Sequence, residues 1–533
     1  MKKLIVYRRH NMYKYLKQHL FSVGCACLLL LTNSFLQVLA ATKMANLANA
    51  LIAKNINLFG QLLMLIFLLW FISFIISFFE SYIEESATQD ILTDIRNDIA
   101  TALTEMPESD FQNNPVDYYE SYLQNDVNLI QREGVNTFFR IVRFSGNAIF
   151  ALIALYLYSP ILFITAIFLV VLIVLVPRLC KKYLSNGVEE ISKANEKFLK
   201  YTSSGLHGYE TLFVFNALSE IKKLVDTGSS ILKKANVHNA IRRSIVDIIT
   251  SVVNIGSQLI ILGITGFLHF KGVLSAGAIL STAELATKVF DSAGIINRYL
   301  AQLLSTSGIF AKFSKLKNLV IPDKQKFDLA SFPMQFKTLE FRDVSFSYPG
   351  SRTTILSHFS YAFTRDNFYK LNGDSGRGKS TLLKLATGQL KPNSGEILLN
   401  GININQIPQK VINELIIYLP QKVTIFPYSI NYNISLGRKV NLEKLASVKE
   451  KFGIDDSWQY NSLSGGQKQR VALARLIDSA NKLVLLDESF SSIDLKSSQD
   501  LLQMFLKDCK TIILVSHRNN EIGDFPVKNL TLK

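Results

Sequence analysis

At 533 residues and a net charge of +16, the chain is long enough for two to four domains; its 48% hydrophobic residues are a globular share, but a mean hydropathy of +0.21 is high for a wholly water-soluble protein. Its Lys and Arg flank apolar runs instead of forming one stripe with interleaved aromatics, which argues against nucleic acid as a partner and for loops beside an anionic lipid bilayer. The cysteines Cys25, Cys27, Cys180 and Cys509 form no CxxC pair, so neither a disulfide scaffold nor a thiolate metal site is expected.

In chain order, six apolar runs are candidates for helices that cross about 30 Å of hydrocarbon. They are Leu20–Ala41, Leu58–Phe79, Phe138–Tyr158, Ile161–Val176, Ser244–Leu268 and Val273–Leu300. The sequence Val38-Leu39-Ala40-Ala41 also suits a signal cleavage site. Further spans follow at once, so the first helix is expected to be retained. Lys2, Lys3, Arg8, Arg9, Lys14 and Lys17 precede the first run, and the long connections 80–137 and 177–243 are rich in charge. Connections 42–57, 159–160 and 269–272 are short and hold few charges. This asymmetry puts the N-terminus, both long loops and the C-terminal half on the cytoplasmic side.

Apolar spacing inside the long loops, as in Leu212, Val214, Phe215, Leu218 and Ile221, predicts helical extensions of the spans. Asp110–Ile130 and Gly205–Phe215 are expected to carry a short helix at each loop tip. In the sixth run Glu284, Lys288 and Asp291 share one helix face. They either line a solute pathway or form an ion-pair ladder. Arg140, Arg143, Arg242 and Arg243 sit near span ends, where snorkelling explains them.

The composition then changes. Residues 321–335 carry two prolines and mixed charge and are expected to link a membrane domain at 1–320 to a second domain at 336–533. "LEFRDVSFSYPG" (Leu339–Gly350) alternates like a half-buried strand and stops at Pro-Gly. Gly373 to Ser380 fit G-x-x-x-x-G-K-[ST], after an apolar strand and before a helix. Gly373, Asp374, Ser375, Gly376, Arg377, Gly378, Lys379, Ser380 and Thr381 are therefore expected to wrap phosphate. The glycines turn backbone N–H groups inward, and the helix N-terminus adds its positive dipole end. Lys379 reaches the terminal phosphates, and the Ser380 hydroxyl ligates Mg2+.

"KLVLLDES" (Lys482–Ser489) is a short apolar run ending on two carboxylates, hence a buried parallel strand. Its carboxyl end belongs beside the phosphate loop. Asp487 is then placed for Mg2+ and Glu488 for taking a proton from water. Before it, Leu463-Ser464-Gly465-Gly466-Gln467 opens a helix running to about Ile477, a second glycine-preceded N-terminus suited to phosphate.

These three motifs together resemble the ATP-binding cassette (ABC) family, and the six-run half before them resembles that family's exporter-type membrane domain. The resemblance covers nearly the whole chain in a half-transporter layout. It implies a six-helix all-α transmembrane domain fused to an α/β P-loop NTPase domain. It also implies that the Leu463–Gln467 signature of one subunit closes over ATP held by the phosphate loop of a second half, in a homodimer or a heterodimer. By position in the family pattern, Tyr348 stacks on adenine, and Gln421 senses Mg2+ and the membrane domain. Asp494 acts across the dimer, and His517 is the switch histidine near the γ-phosphate. Loop tips near Asp117–Leu123 and Leu206–Leu212 match the coupling helices. The segment from Gln421 to Leu463 is short, the acidic glycine-bearing loop before the signature is replaced by "DDSWQYNS", and the sequence stops soon after His517. A trimmed helical subdomain and altered communication across the dimer are expected.

The implied function is ATP-driven export of a solute (peptide, drug-like or lipid-like) from the cytoplasm, in the cell membrane of a bacterium. An exporter-fold importer of a small molecule such as a metal chelate, a membrane-anchored ATPase with a regulatory role, and an ATP-gated channel stay open as alternatives. No peptidase segment precedes the first run, so a peptide cargo is not expected to be trimmed by this chain.

Overall fold

The computed structural model describes residues 12–112, 114–318, 332–348, 350–351, 353–374, 376–476, 479, 481–508, 511–516, 518 and 526–532. The basic residues Lys2 to Arg9, most of the expected linker, Ser375, Cys509 and His517 lie outside them. The chain divides into two compact units, residues 1–104 with 115–318 and residues 105–114 with 319–533. Residues 105–114, the turn of the first long loop, thus group with the C-terminal part of the chain.

The first unit is all helix. Among the described residues five helices are long and apolar enough to cross a membrane: α1 (Leu20–Ile52), α2 (Ile56–Thr104), α4 (Val116–Tyr158), α5 (Pro160–Leu179) and α8 (Ser219–Phe270). The sixth expected span lies in α9 (Ala278–Ser305), whose Glu284, Lys288, Asp291 and Arg298 dilute its apolar character. Five expected spans fall wholly on helix and the sixth does so from Ala278, residues 273–277 being non-helical, but α2 and α8 run 49 and 52 residues, far past the hydrocarbon width. Helix hydrogen bonding continues after the apolar run ends, because nothing in the charged extension breaks it until Pro107 in the one case.

The helix ends have local causes. Ser159 caps α5, its Oγ accepting from the Ile161 N–H at 3.3 Å, with Pro160 at the first helical position. Pro107 and Pro115 bracket the short helix α3 (Glu108–Phe111) in the other unit. The coupling segment expected at Asp117–Leu123 therefore needs correction: those residues continue into α4, through π-helical stretches at Tyr122–Asp126 and Ile130–Val135, and the loop tip is α3. The second loop carries its short helix, α7 (Tyr209–Val214), between α6 (Lys181–His207) and α8, overlapping the expected Leu206–Leu212 and lying within Gly205–Phe215.

Inside lipid, apolar packing gives helices little drive to associate, so small and polar contacts set the register. Two such networks stand out. Glu80, 1% exposed, accepts from Asn33 Nδ2 at 2.9 Å and pairs with Arg143, which also reaches Glu84 at 3.3 Å. Between α8 and α9 runs a polar seam. Thr282 donates to Thr265 at 3.0 Å, Thr287 to Gln258 at 3.1 Å, Gln258 to Asn254 at 2.9 Å and Asn254 to Asp291 at 2.7 Å, while Arg298 sits 3.7 Å from Asp247. Among the described residues no ion pair joins Glu284, Lys288 and Asp291, which counts against the ladder of the two alternatives, and Asp291 instead bonds Asn254 across to α8. Arg140, Arg143 and Arg242 likewise bond to Tyr299, Glu80 and Glu190 and do not simply snorkel.

The second unit is α/β. An antiparallel sheet has the order β2–β1–β4–β5, from β1 (Thr338–Phe346), β2 (Leu356–Thr364), β4 (Ser394–Leu399) and β5 (Ile402–Asn403). A parallel sheet has the order β6–β7–β8–β3–β9, from β3 (Phe368–Asn372), β6 (Ile416–Leu419), β7 (Leu483–Asp487), β8 (Thr511–Val515) and β9 (Lys528–Thr531). Side chains alternate across the parallel sheet. Leu483, Leu485, Ile513 and Val515 pack with both sheets, α11 (Lys379–Ala386) and α12 (Gln409–Leu415). Val484, Leu486, Ile512 and Leu514 face the opposite way. They meet α14 (Leu442–Phe452), α15 (Gly465–Ala474) and α16 (Leu495–Asp508), with the short α13 (Ile430–Ser435) completing that layer. All five residues of β7 are buried, as expected for a strand covered on both faces.

Candidate functional site

Parallel strands deliver their carboxyl ends to one sheet edge, and open α/β sheets bind ligands there. Leu371 of β3 pairs with Val515 of β8, and Val515 pairs with Asp487 of β7, so the three lie in one row. The phosphate loop, the segment after β8 and the two carboxylates thus leave the sheet at one level. The carboxylate strand is one strand away from the loop, with β8 between them.

The loop has the shape its glycines permit. Gly373, Gly376 and Gly378 have φ of 149°, 83° and 85°, in the region where a side chain is strained. A Cβ on Gly378 would meet the Ile355 side chain at 2.6 Å, and one on Gly373 the Leu532 carbonyl at 3.1 Å. Lys379, 7% exposed at the start of α11, donates to the carbonyls of Gly373 at 2.6 Å and Asp374 at 3.0 Å. Its ammonium is held inside the loop by two acceptors that a phosphate can replace. Arg377 and Asp374 are exposed on the rim, 3.9 Å apart. Ser380 is exposed at the helix N-terminus. Thr381 bonds the hydroxyl of Tyr348 at 3.1 Å, which ties the loop to the turn after β1. The Tyr348 ring, 39% exposed, stands edge-on to Phe346 with centroids 5.1 Å apart.

At the end of β7, Asp487 is 3% exposed and accepts from the Tyr418 hydroxyl at 3.0 Å. Burial, and then the Asp487 carboxylate, push that hydroxyl above the usual tyrosine range, so it stays protonated and donates. Glu488 has a left-handed backbone, φ 50°, closed by its N–H on the Val515 carbonyl at 3.0 Å. Such a conformation in a residue with a side chain persists only where the surroundings impose it, and marks functional sites. The Glu488 carboxylate accepts from Gln421 Nε2 at 2.6 Å. Ser380, Gln421 and Asp487 offer hydroxyl, amide and carboxylate oxygens, a hard donor set that fits Mg2+.

Ser464 caps α15 in a reciprocal box: its Oγ accepts from the Gln467 N–H at 3.3 Å, and Gln467 Oε1 accepts from the Ser464 N–H at 2.8 Å. Leu463 is buried beneath the cap. Gly465 and Gly466 lie against Ser492, and a Cβ on Gly466 would meet the Ser492 carbonyl at 2.9 Å. Asp494 caps α16, its Oδ1 accepting from the Ser497 N–H at 2.9 Å. That bond holds its carboxyl below the usual aspartate range.

The structure thus brings Lys379, Asp487, Glu488 and Gln421 to one edge. Among the described residues no hydrogen bond joins Leu463–Gln467 to the phosphate loop. Three residues of the site escaped the sequence analysis. Tyr418 is a polar ring end in an otherwise apolar strand. Gln469 bonds Ser491 at 2.9 Å and the Ser492 N–H at 2.7 Å. Arg518 donates to the carbonyls of Ile493 and Ser491, each at 2.7 Å, and so clamps the 490–493 loop. Only the neighbouring motifs "LSGGQ" and "SHR" hinted at the last two.

Comparison with known proteins agrees with this architecture. The pattern of the ABC transporter transmembrane region matches residues 20–292, and that of the ABC transporter matches residues 356–491. An ATP-dependent lipid A-core flippase of Mannheimia succiniciproducens is 28% identical over 79% of this chain and 74% of its own length. The lactococcin-A transport/processing ATP-binding protein LcnC of Lactococcus lactis is 36% identical over 34% of this chain. The chain spans 46%, 27% and 27% of the length of three of its curated relatives. A solved bacterial Atm1-family ABC exporter with ATP bound superposes with a TM-score of 0.77 at 19% identity, covering 97% of this chain and 94% of that one.

Proposed function

This chain belongs to the ABC transporter family, and we propose that it is an ATP-hydrolysing transporter exporting a solute from the cytoplasm by alternating access. The observation that carries the reading is the shared sheet edge. One row of three parallel strands presents Lys379, Asp487 and Glu488 together, with Gln421 bonded to Glu488. We assign Gly373–Thr381 to the phosphates, Tyr348 to the base, and Ser380, Gln421 and Asp487 to Mg2+. When bound, Mg2+ supplies charge neutralisation between the phosphate oxygens.

The chain's own residues then divide the work. Lys379 exchanges the Gly373 and Asp374 carbonyls for the terminal phosphates. Glu488, freed from Gln421, accepts a proton from the attacking water. The capped helix at Ser464–Gln467 closes on nucleotide held by a second copy, with Asp494 and His517 near the junction. Domain limits of 1–320 and 336–533, a cell-membrane location with the nucleotide domain in the cytoplasm, and a bacterial source complete the proposal. The two conformations need ATP because a ligand shifts an equilibrium only by its differential affinity. We propose peptide, drug-like or lipid-like molecules as the solute classes.

The test is hydrolysis by purified protein in lipid. Glu488→Gln is expected to keep ATP binding and lose turnover by about a hundredfold or more, whereas Lys379→Ala loses ATP affinity. Unchanged turnover in the Glu488 variant overturns the assignment of the base.

A further inference from the structure

We propose that Tyr418 is a positioning residue for the Asp487 carboxylate, fixing which of its oxygens is turned to the divalent cation; this rests on the nucleotide-site reading above. Tyr418 pairs in register with Leu485 of the neighbouring parallel strand, two residues before Asp487. Residues two apart share a sheet face, and two residues advance a strand by about 6.6 Å. A tyrosine ring laid along that face spans this distance, and its hydroxyl meets Asp487 Oδ2 at 3.0 Å. The ring is packed against the core that contains Leu485, so the hydroxyl has little freedom to move away. The acceptor is 3% exposed and ends a fully buried strand.

Gln421, three residues further along, donates to Glu488, the residue after Asp487. Two ties therefore join the same neighbouring segments, and they differ in kind. The Gln421 tie comes from an exposed loop side chain and is free to break. The Tyr418 tie comes from a packed strand and stays in place while the loop moves. A carboxylate held by one oxygen presents the other in a single orientation. Hydrogen bonds of this type to metal-binding carboxylates change metal affinity or activity by about 10- to 100-fold when removed.

The test is Tyr418→Phe in the full-length protein, which removes the hydroxyl and keeps the ring. Mn2+ is titrated by paramagnetic resonance in the presence of a non-hydrolysable ATP analogue. ATP binding in EDTA is measured alongside, as is the Mg2+ dependence of hydrolysis. The expected result is Mn2+ affinity weakened about tenfold or more, a matching rise in the Mg2+ needed for half-maximal turnover, and unaltered metal-free ATP binding. Unchanged Mn2+ affinity overturns the proposal. So does a loss of turnover that persists at saturating Mg2+ with no shift in metal dependence, and so does loss of metal-free ATP binding, which marks a structural role. Wild-type protein that binds neither ATP nor Mn2+ would overturn the underlying site reading, and this inference with it.

Discussion

Asp494 has two claims on it. By its place in the family pattern it faces a partner, yet within its own chain it caps α16 by accepting from the Ser497 N–H. That bond lowers the folded carboxyl below the ordinary aspartate value of about 3.9. A depressed folded value means the cap's contribution is complete above the unfolded value and is lost as pH falls through the folded one. Acidification from pH 5 to pH 3 should therefore lower the melting temperature of the nucleotide-binding unit through this site. Asp494→Ser, which caps without titrating, should flatten that part of the fall in melts followed by circular dichroism. An identical acid slope in both proteins would remove the cap from the account. Glu488 makes the complementary point. Its carboxylate is legible in "LLDES", but its left-handed backbone is imposed by the Val515 carbonyl, a residue 27 positions away.

At the scale of elements, hydropathy located the spans and the glycine-lysine spacing located the phosphate loop, because both signals are local. The partner of Asp291 was not legible. The face it shares with Glu284 and Lys288 is a fact about one helix, whereas Asn254 stands on another, and pairing across helices leaves no periodic trace. Strand order was hidden for the same reason: nothing near Leu483 announces that β8 separates it from β3. The tip of the first long loop was misplaced because two prolines bracket the short α3, and the run after Pro115 looked like the tip itself. Asn254 is the central rung of the α8–α9 seam, bonding both Gln258 and Asp291. Asn254→Leu removes one interhelical bond, to Asp291, together with the i,i+4 bond from Gln258 on its own helix, and leaves Asp291 without its amide. Interhelical hydrogen bonds in membranes contribute about 0.6–2 kcal/mol each, so the variant should unfold at lower denaturant in detergent, while Asn254→Gln recovers part of the loss. Equal stability of Asn254→Leu and wild type would show that the seam is decorative.

For the whole molecule, the proposed mechanism stands on a site made by two copies. Each chain supplies a phosphate loop with Lys379 and a capped helix at Ser464–Gln467, and within the described residues no hydrogen bond joins them. A helix N-terminus favours an anion only within its first turn, so the helix must approach a nucleotide it does not itself hold. Symmetric closure of two identical chains meets that demand twice, each copy completing the other's site. Disulfide trapping tests it in a chain whose four native cysteines are replaced by serine. Cysteines at Arg377, exposed on the rim of the loop, and Ser464 are introduced together in a Glu488→Gln background, so that bound ATP persists. If the sites are shared, oxidation with ATP present should give a product of twice the chain mass on a denaturing gel, and oxidation without ATP should give much less. A cross-link confined to single chains, or one indifferent to ATP, would mean that each chain closes on its own nucleotide, and the two-copy mechanism would have to be given up.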